Sequence, residues 1–205
     1  MFKNIDWLFF DVGSTLVDES LAYEKRMRCV AKAANVTYEY VYETALEFYR
    51  HNKKGDLETI RLLNVDKPQW PKEAEILYSD ATECLKKLHG KYKIGVIANQ
   101  SLGTEKRLEN FGILKYIDLV IASAEEGVAK PDKRIFEIAL ERSNCEPANA
   151  VMIGDRIDND IVPAKRIGMK TIWIKQGFGK FWNITNESEK ADFFVENLTE
   201  ICNIL

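Results

Sequence analysis

The 205-residue sequence predicts an α/β fold, a parallel sheet covered by helices on both faces with a block of helices inserted after the first strand. Three observations predict it. An apolar run from Trp7 to Phe10 stops abruptly at Asp11, as a buried parallel strand does at its C-terminal end. Residues 19–90 then repeat apolar positions at helical spacing only. From Lys91 onward, short apolar runs alternate with helical segments, the pattern of a doubly covered parallel sheet.

Each element follows in order. In the helical block the buried faces read Tyr23, Met27, Val30 and Ala34, then Tyr38, Val41, Ala45 and Phe48, and later Leu77, Ala81, Cys84 and Leu88. Gly55 and Pro68 punctuate the loops, Pro71 suits a first helical position, and Gly90 suits a helix stop. Strands are expected at 93–98, 118–123, 150–154, 170–174 and 193–195, and helices at 104–111, 131–143 and 159–167. The first strand belongs to the same sheet, so residues 1–17 and 91–205 form the core and residues 18–90 a helical cap over its carboxyl edge. The loop from Gln176 to Lys180 is glycine-rich but has no clear helix behind it, and reads as a flexible connection.

Composition narrows the class. A chain 46% hydrophobic and 30% charged suits one globular domain with a modest insertion. Its 29 basic and 32 acidic residues give a net charge of −3 with no basic block, which argues against a nucleic-acid partner. No apolar run is long enough to span a membrane, and no signal peptide is expected, since the residues before Trp7 lack an apolar stretch. Cys29, Cys84, Cys145 and Cys202 are scattered without a CxxC pair, so neither zinc nor a disulfide framework is indicated. A cytoplasmic location with reduced thiols is expected.

Four segments carry chemistry. The first is the strand end Asp11-Val12-Gly13-Ser14, where a carboxylate meets a tight turn whose N–H groups could face an anion. The second is the apolar strand 150–154 ending at Asp155, followed by Asp158, Asn159 and Asp160. Two strand-end carboxylates repel unless a cation lies between them, and hard oxygen ligands suit Mg²⁺. Asp160 is placed to orient a metal-bound water or Lys130, while Asp158 reads as a helix cap. The third is Lys130-Pro131, a lysine able to neutralise Asp11 and a phosphoryl group together. The fourth is the strand 94–98 leading into Asn99, Gln100 and Ser101, where backbone amides and the Asn99 side chain could hold phosphate oxygens.

In this order the four segments resemble the motifs of the haloacid dehalogenase superfamily, across the whole chain, and a helical insert after the first motif resembles its subfamily I with a C1 cap. The resemblance implies a Rossmann-like core. It implies that Asp11 attacks phosphorus to form an aspartyl-phosphate, with Mg²⁺ held by Asp11, Asp155 and the backbone carbonyl of Gly13. Lys130 would stabilise Asp11 and the phosphoryl oxygens, and Asp160 would support the metal. The expected activity is hydrolysis of small phosphorylated metabolites.

Two positions depart from that pattern. The family's phosphatases carry a second Asp two residues after the nucleophile, as general acid/base, where this chain has Gly13. They carry Thr or Ser where this chain has Ala98. Acyl and aryl phosphates need little help with their leaving groups, and Asp18 or a lid residue could supply the proton. The alternatives are a 2-haloacid dehalogenase, a phosphonate hydrolase using a lid lysine (Lys25, Lys32, Lys53 or Lys54), and a catalytically weak binding or regulatory protein. For an anionic substrate the lid offers Arg26, Arg28, Arg50 and His51, while Trp70 and Trp182 are expected to pack rather than stack on a ligand.

Overall fold

The structure is a computed structural model and describes residues 2–205. In chain order its elements are β1 (Trp7–Phe10), β2 (Val17–Asp18), α1 (Ser20–Ala34), α2 (Tyr38–Arg50), α3 (Gly55–Leu62), β3 (Ile76–Leu77), α4 (Ala81–Leu88), β4 (Lys93–Ala98), α5 (Thr104–Asn110), β5 (Leu119–Ala122), α6 (Ser123–Glu126), α7 (Lys133–Ser143), β6 (Ala150–Gly154), α8 (Val162–Arg166), β7 (Lys170–Ile174), β8 (Phe193–Val195) and α9 (Leu198–Ile204). The six-stranded sheet runs β5-β4-β1-β6-β7-β8, and every pairing in it is parallel.

β1 shows why the sheet is covered on both sides. Its side chains alternate, so Leu8 and Phe10 join one apolar cluster and Phe9 another. The first cluster takes in α4, Leu108 of α5 and α9. The second takes in α7 and Ala164 of α8. Leu8, Phe9 and Phe10 are fully buried, each a gain of about 1.5–3 kcal/mol over exposure. Gly95 makes room for Phe9, since a Cβ there would lie 2.5 Å from the ring. Register aligns the strand ends: Phe10 faces Val96 on one side and Ile153 on the other, and Asp11 donates its N–H to Ile153 O at 2.9 Å. The residues following β1, β4 and β6 therefore emerge together at the carboxyl edge.

β2 and β3 form a two-stranded antiparallel ribbon, Val17 opposite Leu77 and Asp18 opposite Ile76. The chain leaves the core along β2 and returns along β3, with α1, α2 and α3 between. These helices bury their own cluster of Met27, Val30, Ala31, Val41, Ala45, Tyr49 and Ile60. Thr37 caps α2 by accepting from Tyr40 N–H at 3.2 Å. Gly55 lets α3 start directly against α2, because a Cβ there would fall 2.0 Å from Ala45 O.

Two expectations need correction here. The helical periodicity of residues 18–90 extends the cap too far: α4 buries Ala81, Cys84, Leu85 and Leu88 in the sheet's own cluster. An amphipathic helix shows the same period whichever surface it covers. The helix expected over 159–167 begins earlier, as a π turn at Ile157–Ile161 that runs into α8.

Candidate active site

Lys130 organises the carboxyl edge. Its ammonium lies 2.8 Å from Asp11 Oδ1 and 2.6 Å from Asp160 Oδ1, and donates to Ile97 O at 2.8 Å. The residue is 4% exposed. Burial disfavours its charge, but Asp11 and Asp160 outweigh that and hold its pKa above the ordinary lysine value. Asp132 caps α7 by accepting from Arg134 N–H at 2.9 Å, so the helix opens at Lys133 rather than at Pro131.

Asp11, Asp155 and Asp160 offer carboxylate oxygens within 4.8 Å of one another. Asp160 is fully buried beneath the end of β6, where a Cβ on Gly154 would lie 2.4 Å from its Cγ. Both of its oxygens are engaged, one by Lys130 and the other by Arg156 N–H at 3.0 Å. Its burial pushes its pKa up despite Lys130. Asp155 is held well above the usual carboxylate range, first by burial and then by the charges of Asp160 and Asp11. Among the described residues no basic side chain lies within ion-pair distance of Asp155. Three clustered carboxylates against one ammonium leave a local excess of negative charge made of hard oxygen donors, which fits a divalent cation such as Mg²⁺.

Other expected site residues are placed differently. Ser14 has φ 54°, and its N–H is taken by Val17 O at 2.8 Å, so that amide does not face an anion. Its hydroxyl donates to Glu19 Oε2 at 3.0 Å. Asn99 spends both side-chain polar atoms on Lys130, donating to its carbonyl at 2.9 Å and accepting from its N–H at 2.7 Å. It fixes the lysine's backbone instead of offering its amide to a phosphate. Asp158 is no cap: it takes a two-point ion pair from Arg156, at 2.8 and 2.6 Å. Asp18 accepts from Ser20 N–H at 2.8 Å and does not line the cavity.

A cavity of about 450 Å³ opens above Asp11 between the edge and the lid. From the core it is lined by Asp11, Gly13, Ser14, Asn99, Gln100, Ser101, Lys130, Asp155, Arg156 and Asn159, and from the inserted segment by Glu19, Tyr23, Arg26, Lys54, Asp56, Lys67, Trp70, Lys72 and Glu75. Of the four lid lysines considered above, Lys54 alone lines it, among the described residues. Arg26 also reaches it, but is neutralised by Asp56 at 2.9 Å, itself held by the Tyr49 hydroxyl at 3.0 Å. Arg28 and His51 stay on exposed helix faces beside Glu24 and Glu47, and Arg50 pairs with Glu47. Trp70 packs under Arg26, with 4.9 Å from the guanidinium carbon to the ring centre, and donates to Glu75 Oε1 at 2.6 Å. Arg107 of α5 pairs with the same Glu75. Trp182 packs beside Ile157, Ile161 and Trp173.

The loop after β7 is clamped where a flexible connection was expected. Phe178 stacks on Tyr49 of α2 at 4.6 Å and joins the lid cluster. Gly179 passes directly over Asp155, where a Cβ would clash with Asp155 O at 2.3 Å. The Asn52 side-chain amide donates to the Asn183 carbonyl at 2.7 Å and accepts from the Asn183 N–H at 2.8 Å, adding a second tie between lid and core.

Glu19, which the sequence reading passed over, lies at the centre of the site. Its carboxyl fills the space beside Gly13, where a Cβ would lie 2.7 Å from Oε1 and 2.8 Å from Oε2. Burial pushes it up to about 7 against the opposing Ser14 hydrogen bond, with Glu75 and Asp11 adding repulsion. The only signal in the sequence was a glutamate just after the strand-end turn, at the start of a helix, where acidic residues are common for capping reasons alone.

Residues 5–168 match the model of the haloacid dehalogenase-like hydrolase family. The chain belongs to that family. Among curated relatives it is 29% identical to a glyceraldehyde 3-phosphate phosphatase of Pyrococcus furiosus, over 99% of this chain and 94% of that one. It is also 29% identical to a pyrimidine 5′-nucleotidase of Escherichia coli, over 90% and 95%. Among solved structures it resembles a haloacid dehalogenase-family phosphatase from Thermococcus onnurineus, with TM-score 0.67, 23% identity and coverage of 98% and 97%. A dehalogenase has TM-score 0.71, 18% identity and coverage of 100% and 99%. At those identities the structural matches speak to the fold alone.

Proposed function

We propose that this haloacid dehalogenase-like hydrolase is a Mg²⁺-dependent phosphatase of small phosphorylated metabolites, working through an aspartyl-phosphate at Asp11. The observation that carries this reading is the Asp11–Lys130 contact at 2.8 Å on the floor of a cavity of about 450 Å³. A space of that size suits a metabolite. The relatives named as phosphatases and a nucleotidase act, by their names, on small phosphorylated compounds.

In this reading an Asp11 oxygen attacks phosphorus. Lys130 neutralises nucleophile and phosphoryl oxygens together, which an anionic nucleophile approaching an anionic substrate requires. Asp160 and Asn99 position Lys130, one through the ammonium and the other through the backbone. Asp11, Asp155 and the Gly13 carbonyl would hold Mg²⁺, supported by Asp160, and the ion would neutralise phosphate oxygens. The segment between β2 and β3 serves as the cap, closing the cavity with Arg26, Lys54 and Trp70. A carboxylate-bearing haloacid suits this cavity poorly, because Glu19 and Asp155 line it as well.

The test is hydrolysis of acetyl phosphate and p-nitrophenyl phosphate, with Mg²⁺ and with EDTA, by wild type and Asp11→Asn. Metal-dependent turnover that disappears in the variant is expected. Equal turnover in Asp11→Asn, or none in wild type under any condition, would overturn the assignment.

A further inference from the structure

We infer that Glu19 is the proton-transfer group of this site, delivered from the start of the lid to a place that residue 13 leaves open. The inference rests on the phosphatase reading above. Breaking the P–O bond of an alkyl phosphate leaves an alkoxide, which needs a proton as it departs. A group that supplies it must line the cavity near Asp11 and be free of other duties.

The carboxylates lining the cavity can be taken in turn. Asp11 is the nucleophile and Asp155 belongs to the cation site. Asp56 is occupied by Arg26 and the Tyr49 hydroxyl. Glu75 is occupied by Trp70 Nε1 and Arg107. The Glu19 carboxyl has one hydrogen-bond partner in the described structure, the Ser14 hydroxyl, which donates to Oε2 and leaves Oε1 without a side-chain donor. Ser14 adjoins Gly13, so this hydrogen bond anchors the carboxyl to the turn that carries Asp11.

Gly13 completes the arrangement. A Cβ there would lie within 2.9 Å of Glu19 Cδ and both its oxygens, so any side chain at residue 13 would displace the carboxyl. The backbone does not need glycine for a positive φ at this position. Space for Glu19 is therefore what the glycine supplies.

The chemistry balances with this one group. In the first half-reaction the Asp11 oxygen bonds to phosphorus, the P–O bond to the leaving group breaks, and the Glu19 proton passes to the departing oxygen. In the second, the Glu19 carboxylate takes a proton from water as that water attacks the phosphorus of the aspartyl-phosphate. Inorganic phosphate leaves, and Asp11 and protonated Glu19 are regenerated.

The test compares kcat/KM for glycerol phosphate and p-nitrophenyl phosphate, with Mg²⁺, in wild type, Glu19→Gln, Glu19→Ala, and Gly13→Asp combined with Glu19→Ala. Glutamine keeps the shape and can still accept from Ser14. Glu19→Gln is expected to lose about 10²–10⁴-fold on the alkyl ester and about tenfold or less on the aryl ester. Phosphorylated protein should accumulate with the aryl ester, read by intact-protein mass. The double variant, with its carboxyl moved to residue 13, should regain alkyl-ester activity over Glu19→Ala alone. Equal losses on both esters without phosphoprotein would overturn the role of Glu19 and leave the phosphatase reading standing. Wild type inert to both esters would overturn the phosphatase reading itself, and the inference with it.

Discussion

Replacing Lys130 by methionine tests the centre of the site through stability alone, without any substrate. Methionine keeps most of the apolar stem and removes the ammonium. Three contacts go with it, to Asp11 Oδ1 at 2.8 Å, Asp160 Oδ1 at 2.6 Å and Ile97 O at 2.8 Å. Removing one partner of a buried ion pair costs about 3–5 kcal/mol, because the other charge stays buried without compensation. The orphaned Ile97 carbonyl adds about 1–3 kcal/mol. Proton uptake by Asp160, whose pKa is already raised, relieves part of the sum. The expected net loss is about 3–5 kcal/mol. At a slope of about 2 kcal/mol per M this lowers the urea midpoint by about 1.5–2.5 M. Unfolding is followed by tryptophan fluorescence and circular dichroism, with EDTA in the buffer so that no cation compensates. The combination Lys130→Met with Asp160→Asn should recover about 1 kcal/mol or more, since neighbours sharing an ion pair are not additive. A loss under about 1 kcal/mol with strict additivity would show that Lys130 does not hold the carboxyl edge together.

Three further outcomes are expected. Gly55→Ala puts a Cβ 2.0 Å from Ala45 O, so α2 and α3 must separate; thermal unfolding should report about 1–3 kcal/mol of lost stability. Asp155→Asn removes a carboxylate that has no basic partner. It should weaken Mg²⁺ binding at least about tenfold, or 1.4 kcal/mol, by titration calorimetry, while the metal-free protein gains stability because a carboxylate disfavoured first by burial and then by Asp160 and Asp11 is gone. Asp118 is partly buried, which opposes its ionisation, yet Lys93 at 2.8 Å and the Ile94 N–H hold it below the ordinary 3.8. A lowered folded-state pKa contributes stability that is present above 3.8 and lost as the pH falls through the folded value. The urea-midpoint gap between wild type and Asp118→Asn should therefore shrink between neutral pH and the acid range.

Much of the frame was legible because its signals are local. The apolar runs at Trp7–Phe10 and Ala150–Gly154 each end in a carboxylate, and strand ends on one edge of a parallel sheet meet whatever lies between them in sequence. Asp11 and Asp155 could be read that way, while Lys130 was legible only as a lysine before the helix that follows Pro131. Asn99 and Ser14 were expected to face a phosphate, but their side-chain hydrogen bonds go to Lys130 and to Glu19. A polar residue type does not reveal its partner. Asp158 departs from its expected capping role for the same reason, since an acidic residue before a helix suits either a cap or an ion pair with a nearby arginine.

By itself the sequence determined the alternation of strand and helix, the inserted helical block and the identity of the strand-end carboxylates, because periodicity and chain breaks are properties of neighbouring residues. Only the tertiary structure decided which surface α4 covers, that the loop around Phe178 is locked into the lid, and that Glu19 fills the gap at Gly13. Those outcomes depend on how separate elements dock. Docking is set by the shape and charge of surfaces brought together from distant parts of the chain, which no single stretch of sequence contains.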